Sequence, residues 1–186
     1  VSGGVSNINS NIIGAATANN ISVKLINGTL CNISGIRYDG NDAVTIMTNT
    51  IAGITIDNTA SNALINNLFG IRAGTTSVTE NVVITGNTIG SSVANSLKNN
   101  TGNTYVSTAN IYTTGIYTDA LRPTTIGNNN ITNVAYTAGG TATTGSVQTM
   151  GIFKMNGSGN VVEKNIVSGI TSTSPFAGIG TGASVI

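Results

Sequence analysis

The chain has 186 residues, a formal net charge of +1, no histidine and only 7% charged residues. The lack of histidine excludes a Ser-His-Asp triad and a His-ligated zinc site, and the scarcity of Lys and Arg excludes an electrostatic nucleic-acid surface. The longest apolar runs are too short to span a bilayer, so we expect no membrane insertion.

The apolar residues are mostly β-branched, with 24 Ile and 15 Val against 6 Leu. Such side chains favour strands, whereas the 27 Asn, 29 Thr, 17 Ser and 24 Gly favour turns. The composition therefore predicts an all-β fold with frequent corners. Cys31 is the single cysteine of the sequence, so no disulfide forms within the chain.

A motif of the form Asn-x-Ile-x-Gly-Ile recurs along the chain. Its Gly-Ile pair begins at Gly35, Gly53, Gly70, Gly115, Gly151 and Gly169. Three of the five intervals are 17 or 18 residues, which is too short for a helical repeat and suits one turn of a β-solenoid. The sequence predicts a right-handed parallel β-helix of about eight turns of about 18 residues.

The motif also predicts how the turns are held together. Successive turns of such a fold stack at about 4.8 Å, so inward Ile and Val side chains form columns. An Asn repeated at one corner can form a ladder of stacked side-chain amides, and the repeat glycine supplies a corner conformation that other residues resist.

The two long intervals predict insertions at about 91–114 and 134–150, both leaving the solenoid at one corner of a single domain that covers 1–186. Insertions on one side of a solenoid often form its binding face. We therefore expect Tyr105, Tyr112 and Tyr136 to make loop contacts with a ligand. The alternative is that these loops only cover a corner.

The segments NITNV (130–134) and NIVSGITST (165–173) carry the motif most clearly. They resemble right-handed parallel β-helix repeats and are similar to the long Asn/Thr-rich surface proteins of Bacteroidota-type bacteria. The resemblance implies an extracellular, structural or adhesive cell-surface protein without catalytic activity or cofactor. It also implies that the chain is a fragment of a longer solenoid. Its partners would be surface glycans, or other protein chains bound end to end or side by side.

The few charged residues share a register with the repeat. Asp39, Asp57 and Asp119 each follow a repeat glycine by four positions. Arg37, Arg72 and Tyr117 each follow a repeat glycine by two positions. A spacing of two on a strand places side chains on one face. We therefore expect these six residues to share one outer face that binds polysaccharide. The alternative is an exposed ladder of charges between turns.

Two other functions remain open at this point. Clustered carboxylates with an arginine, with or without Ca²⁺, would indicate a polysaccharide lyase or hydrolase, and a trimer would indicate a phage tail fibre. The turn Asp39–Asp42 is either a weak Ca²⁺ site or a plain turn signal, and no metal site is expected.

Overall fold

The computed structural model describes residues 4–25, 31–58, 66–74, 81–101, 104–105, 110–138, 141–142 and 147–173. Over these residues the chain is an all-β parallel solenoid of about four turns, without helices. The described residues contain no helix that is long and apolar enough to cross a membrane. The predicted fold class is therefore confirmed as a parallel β-solenoid.

The strands follow one another turn by turn. The first turn contains β1 (Val5–Asn9), β2 (Ile12–Gly14), β3 (Ile21–Lys24) and β4 (Cys31–Tyr38). The second contains β5 (Ala43–Met47), β6 (Thr50–Ala52), β7 (Ile54–Asn58) and β8 (Asn66–Ala73). The third contains β9 (Val82–Thr85), β10 (Thr88–Ile89), β11 (Leu97–Thr101), β12 (Thr104–Tyr105) and β13 (Ile111–Thr118). The fourth contains β14 (Thr124–Gly127), β15 (Asn130–Thr132), β16 (Val134–Ala138), β17 (Thr141–Ala142) and β18 (Val147–Lys154). A partial fifth turn contains β19 (Val161–Glu163), β20 (Ile166–Ser168) and β21 (Thr171–Thr173).

Equivalent strands of successive turns pair in parallel and form four main sheets. Sheet 1 contains β1, β5, β9, β14 and β19, and sheet 2 contains β2, β6, β10, β15 and β20. Sheet 3 contains β3, β7, β11, β16 and β21, and sheet 4 contains β4, β8, β13 and β18. Strands β12 and β17 form a further two-stranded sheet. Each complete turn thus contributes one strand to each main sheet.

The predicted length of a turn is wrong. On sheet 1, Val82 pairs with Val44 and Thr124, which lie 38 and 42 residues away, and a turn has about 37 residues. The chain therefore makes about four turns rather than eight, and at a strand spacing of about 4.8 Å the stack is about 20 Å high.

The predicted period is half of the observed one because the Gly-Ile pair occurs at two different places in a turn. Gly53 and Gly169 stand at the corner before sheet 3 and have φ values of 71° and 63°. Gly35, Gly70 and Gly115 instead lie inside strands of sheet 4, where a Cβ would come within 2.5 Å of an Ile Cγ2 of sheet 2. The same Gly-Ile pair therefore meets two different structural requirements, a left-handed corner at one place and a close approach between sheets at the other.

The core consists of columns of β-branched side chains that repeat from turn to turn. Ile51, Ile89 and Ile131 of sheet 2 lie over one another, and all are fully buried. Ile71, Ile116 and Ile152 form the facing column on sheet 4. Burying each such side chain contributes about 1.5–3 kcal/mol. The predicted inward columns of Ile and Val are thus the main apolar contacts of the fold.

The predicted asparagine ladder is confirmed. It is formed by Asn11, Asn49, Asn87, Asn129 and Asn165, one from each turn, and stands at the corner between sheets 1 and 2. At each of its four rungs, an Oδ1 accepts the backbone N–H at 3.0 Å and the Nδ2–H at 2.9 Å from the asparagine one turn earlier. The ladder satisfies the buried side-chain amides of Asn49, Asn87 and Asn129 in the middle of the stack.

The residue before each ladder asparagine adopts a left-handed conformation. These residues are Ser10, Thr48, Gly86, Asn128 and Lys164, with φ between 53° and 65°. Only one of the five is glycine, although other residues resist this conformation by about 1–2 kcal/mol. The hydrogen bonds of the following asparagine hold the corner in place despite that cost.

The segments proposed as insertions contain strands. β11 and β12 lie within 91–114, and β16 and β17 lie within 134–150. β11 pairs with both β7 and β16, and β12 pairs with β17. These strands therefore continue sheet 3 and the small two-stranded sheet.

Candidate functional site

The outer face of sheet 4 brings together most of the side chains that the sequence singled out. Register pairing stacks Arg37, Arg72, Tyr117 and Phe153 in one column across the four turns. A second column contains Asn32, Asn67 and Tyr112. The two columns stand on either side of the sheet 4 glycines Gly35, Gly70 and Gly115 along the strands.

Four aromatic rings of sheet 4 form one cluster. The ring centroids of Phe69 and Tyr117 are 5.0 Å apart, and those of Tyr117 and Phe153 are 5.5 Å apart. Tyr112 lies 5.7 Å from both Tyr117 and Phe153. Each such pair contributes about 0.5–1.5 kcal/mol beyond the burial of its surface. Phe69 and Tyr117 are the buried members of the cluster, and Tyr112 and Phe153 are partly exposed on the outer side of sheet 4.

Arg72 lies against this cluster. Its guanidinium carbon is 5.8 Å from the ring centroid of Phe69 and 5.9 Å from that of Tyr117, both within cation–π distance. Its Nε is buried and has no hydrogen-bond partner among the described residues. The rings therefore position the guanidinium, while its buried Nε–H is left without an acceptor in the described structure.

A cavity of about 200 Å³ opens on this surface. It is lined by Asn32, Asn67, Phe69, Arg72, Tyr112 and Tyr117. Asn67 is held on both sides, because its Nδ2 donates to Asn32 Oδ1 at 2.7 Å and its Oδ1 accepts the backbone N–H of Tyr112 at 2.8 Å. The walls of the cavity are thus fixed by hydrogen bonds and ring contacts.

Asp39 and Asp119 lie at the end of this face. Asp39 accepts a hydrogen bond from Arg37 Nε at 2.5 Å, in the one ion pair found among the described residues. Asp119 is half-buried, and its Oδ1 has no partner in the described part of the chain. Nearby, Lys154 donates from Nζ to the carbonyl oxygen of Ala120 at 2.6 Å and also to that of Asn156.

Burial shifts the pKa values of three groups here. It raises the pKa of Asp119, against the opposing effect of the Arg72 and Lys154 charges. Burial also raises the pKa of Tyr117, and the Asp119 charge adds to that rise. The pKa of Lys154 is lowered by burial, which the Asp119 charge partly offsets. In each case burial disfavours the charged form.

We expect Asp119→Asn to raise the melting temperature at pH 7. The folded-state pKa of Asp119 lies above its ordinary value, so the native state binds this proton more tightly than the unfolded chain. Its ionisation therefore costs stability as the pH rises through the folded pKa, and the gain from the substitution should disappear below the ordinary pKa of aspartate. Calorimetry at pH 7 and pH 3 checks this. The exposed Asp42→Asn is the control, and a gain from Asp119→Asn of equal size at both pH values would contradict the argument.

Three of the residues singled out by the sequence lie elsewhere. Asp57 is on sheet 3, in register with Lys24 and Asn100, and accepts a long hydrogen bond of 3.4 Å from Asn100 Nδ2. Tyr136 is fully buried in β16, and its hydroxyl lies 2.7 Å from Thr101 Oγ1. Tyr105 belongs to β12, but its side chain is outside the described part of the structure.

Sequence reasoning missed Phe69, Phe153, Asn32, Asn67 and Lys154. The signal that could have found them is the true period. Phe153 follows Tyr117 by 36 residues, which is one turn of the fourth sheet. Phe69 stands directly before a repeat glycine.

No group of three or more potential metal ligands occurs among the described residues.

Comparison of the chain with protein-family models, with curated protein sequences and with solved structures gives no match.

Proposed function

We propose that this chain is a structural and adhesive segment of a large secreted bacterial surface protein, in which a right-handed β-helix forms a rigid stalk. The observation that carries the proposal is the asparagine ladder, which runs without a break through all five turns. Its rungs, like the Ile columns, consist of uncharged groups, so neither salt nor pH acts on them directly. Such a stack suits a protein that must keep its shape in a variable external medium.

The proposal is tested on cells that produce the protein. An antibody against the folded chain should label intact cells, and external protease should remove the label. The expected result is equal labelling before and after the cells are permeabilised. An antibody against a cytoplasmic protein is the control, and it should label only permeabilised cells. Labelling by the first antibody only after permeabilisation would contradict a surface location.

A second candidate function is the binding of polysaccharide on the outer face of sheet 4, as an adhesive surface would require. The aromatic cluster and its cavity favour it, because flat apolar rings bordered by amides suit the faces of sugar rings. Binding is favoured over cleavage, since Asp57 lies on sheet 3 whereas Asp39 and Asp119 directly follow strands of sheet 4.

Incubation with a panel of polysaccharides separates binding from cleavage. We expect a polysaccharide held in the gel to retard the chain in affinity electrophoresis, and we expect the chain to release neither reducing ends nor unsaturated products. Depolymerisation above background would contradict the structural proposal. If cleavage does occur, an unchanged rate for Asp57→Ala would exclude this residue from catalysis. The oligomeric state, measured by light scattering, distinguishes a phage tail fibre, which would be a trimer.

A further inference from the structure

We propose that the cavity on sheet 4 recognises an acidic sugar, with the carboxylate bound by Arg72 and the sugar ring packed against Tyr112. This inference rests on the proposed polysaccharide binding and specifies the class of glycan. The cavity of about 200 Å³ suits one sugar ring rather than a folded partner.

The first argument is the state of Arg72. An arginine carries five N–H donors and keeps its charge at any physiological pH. Here the guanidinium forms no ion pair within 4.0 Å in the described structure, and its buried Nε has no hydrogen-bond partner there. A half-buried cation without an acceptor is costly, so the site favours a ligand that supplies one. Phe69 and Tyr117 hold the group in place beforehand, which reduces the entropy lost on binding.

The second argument is the balance of charge at this end of the sheet. Arg37, Arg72 and Lys154 stand against Asp39 and Asp119, which leaves one positive charge in excess when all are ionised. The Arg37–Asp39 ion pair satisfies two of these groups. The remaining cation that lines the cavity is Arg72. A planar guanidinium matches a planar carboxylate through two parallel hydrogen bonds, which selects a uronic acid over a neutral sugar.

The third argument is the surface beside Arg72. Tyr112 is half-buried, so part of its ring faces the cavity, and the exposed Asn32 stands in the same outward column. The negative face of an aromatic ring attracts the polarised C–H groups on one side of a sugar ring. The amide of Asn32 provides hydrogen-bonding capacity for sugar hydroxyl groups. Together these groups present a ring platform, an amide and a cation, which are the elements that an acidic sugar requires.

Calorimetric titration with oligogalacturonate and with its full methyl ester tests the proposal. The ester has the same sugar rings but no charge. We expect wild type to bind the acid form at least about tenfold more tightly than the ester. Arg72→Gln should remove that preference and leave ester binding unchanged, whereas Tyr112→Ala should weaken both. Arg72→Lys keeps the charge without the planar fork, and it should also lose most of the preference.

The control is Arg122→Gln, which removes an exposed positive charge outside the cavity. It should leave both affinities unchanged, and all variants should keep the far-UV spectrum of wild type. Equal binding of acid and ester would overturn the acidic preference while leaving polysaccharide binding intact. No binding of either ligand would overturn the acidic-sugar proposal, whereas polysaccharide binding in general is decided by the panel in affinity electrophoresis. If Arg122→Gln lost as much affinity for the acid form as Arg72→Gln, the attraction would be unspecific and the assignment of the site would be overturned. Binding of dextran sulfate without binding of oligogalacturonate would overturn the assignment as well.

Discussion

Asn87→Ala is expected to lower the free energy of unfolding by about 3 kcal/mol or more. The Nδ2 of Asn87 donates to Asn129 Oδ1 at 2.9 Å and to the carbonyl oxygen of Ile46 at 3.0 Å. Its Oδ1 accepts both the backbone N–H and the Nδ2–H of Asn49. Alanine would remove these four hydrogen bonds, each worth about 0.5–1.5 kcal/mol, and would leave the buried backbone N–H of Asn49 without its acceptor, at a cost of about 1–3 kcal/mol. Denaturant unfolding followed by circular dichroism measures the loss.

The matched control is Asn11→Ala, at the first rung of the ladder. Asn11 is exposed, and its side chain donates to Asn49 and to its own strand without accepting from an earlier turn. We therefore expect a loss several-fold smaller than for Asn87→Ala. Equal losses at the two positions would show that the buried ladder does not stabilise the stack more than an exposed side-chain hydrogen bond does.

Gly115→Ala is expected to destabilise the fold by about 1–3 kcal/mol or more. A Cβ at this position would stand 2.5 Å from Cγ2 of Ile131 and 2.7 Å from the carbonyl oxygen of Gly151. The first contact is across the core and the second is with the backbone of the next turn, so neither neighbour can move without disturbing a column. Differential scanning calorimetry should show a fall in melting temperature of about 2–4 °C for each kcal/mol lost.

Gly127→Ala is the control for this substitution. The atom nearest to its Cβ would be 3.6 Å away, and its φ lies outside the left-handed range. Alanine there should be neutral or should stabilise by up to about 1 kcal/mol, because it restricts the unfolded chain. An unchanged melting temperature for Gly115→Ala would contradict the close approach of sheets 2 and 4.

The fold class could be predicted because composition and local chemistry agree. An excess of Ile and Val over Leu favours strands, and a repeated Asn before an aliphatic residue is the pattern of a stacked amide corner. The number of turns could not be predicted in the same way. Gly53 and Gly70 stand in the same short motif, yet one is needed for a positive φ and the other for the space beside Ile89. The sequence motif alone does not distinguish these two requirements.

The candidate site was predicted in part for the same reason. Arg37, Arg72 and Tyr117 each stand two residues after a glycine of one class, and they do lie in one column. Asp57 follows Gly53, which belongs to the other class, and it therefore lies on sheet 3. Tyr136 was placed in a loop because its segment fell in a long interval between Gly-Ile pairs, whereas its ring is buried inside the solenoid.

The asparagine ladder also has a consequence for how such a protein can change in length. A rung forms only where an asparagine stands directly beside the asparagine of the next turn, and the last two lie 36 residues apart. Duplicating 130–165 would add one complete rung and one strand to each of sheets 1 to 3, together with the sheet 4 strand between them. Duplicating half of that segment would place another residue opposite the amide and leave it unsatisfied. The stack can therefore be lengthened with its ladder intact only by whole turns.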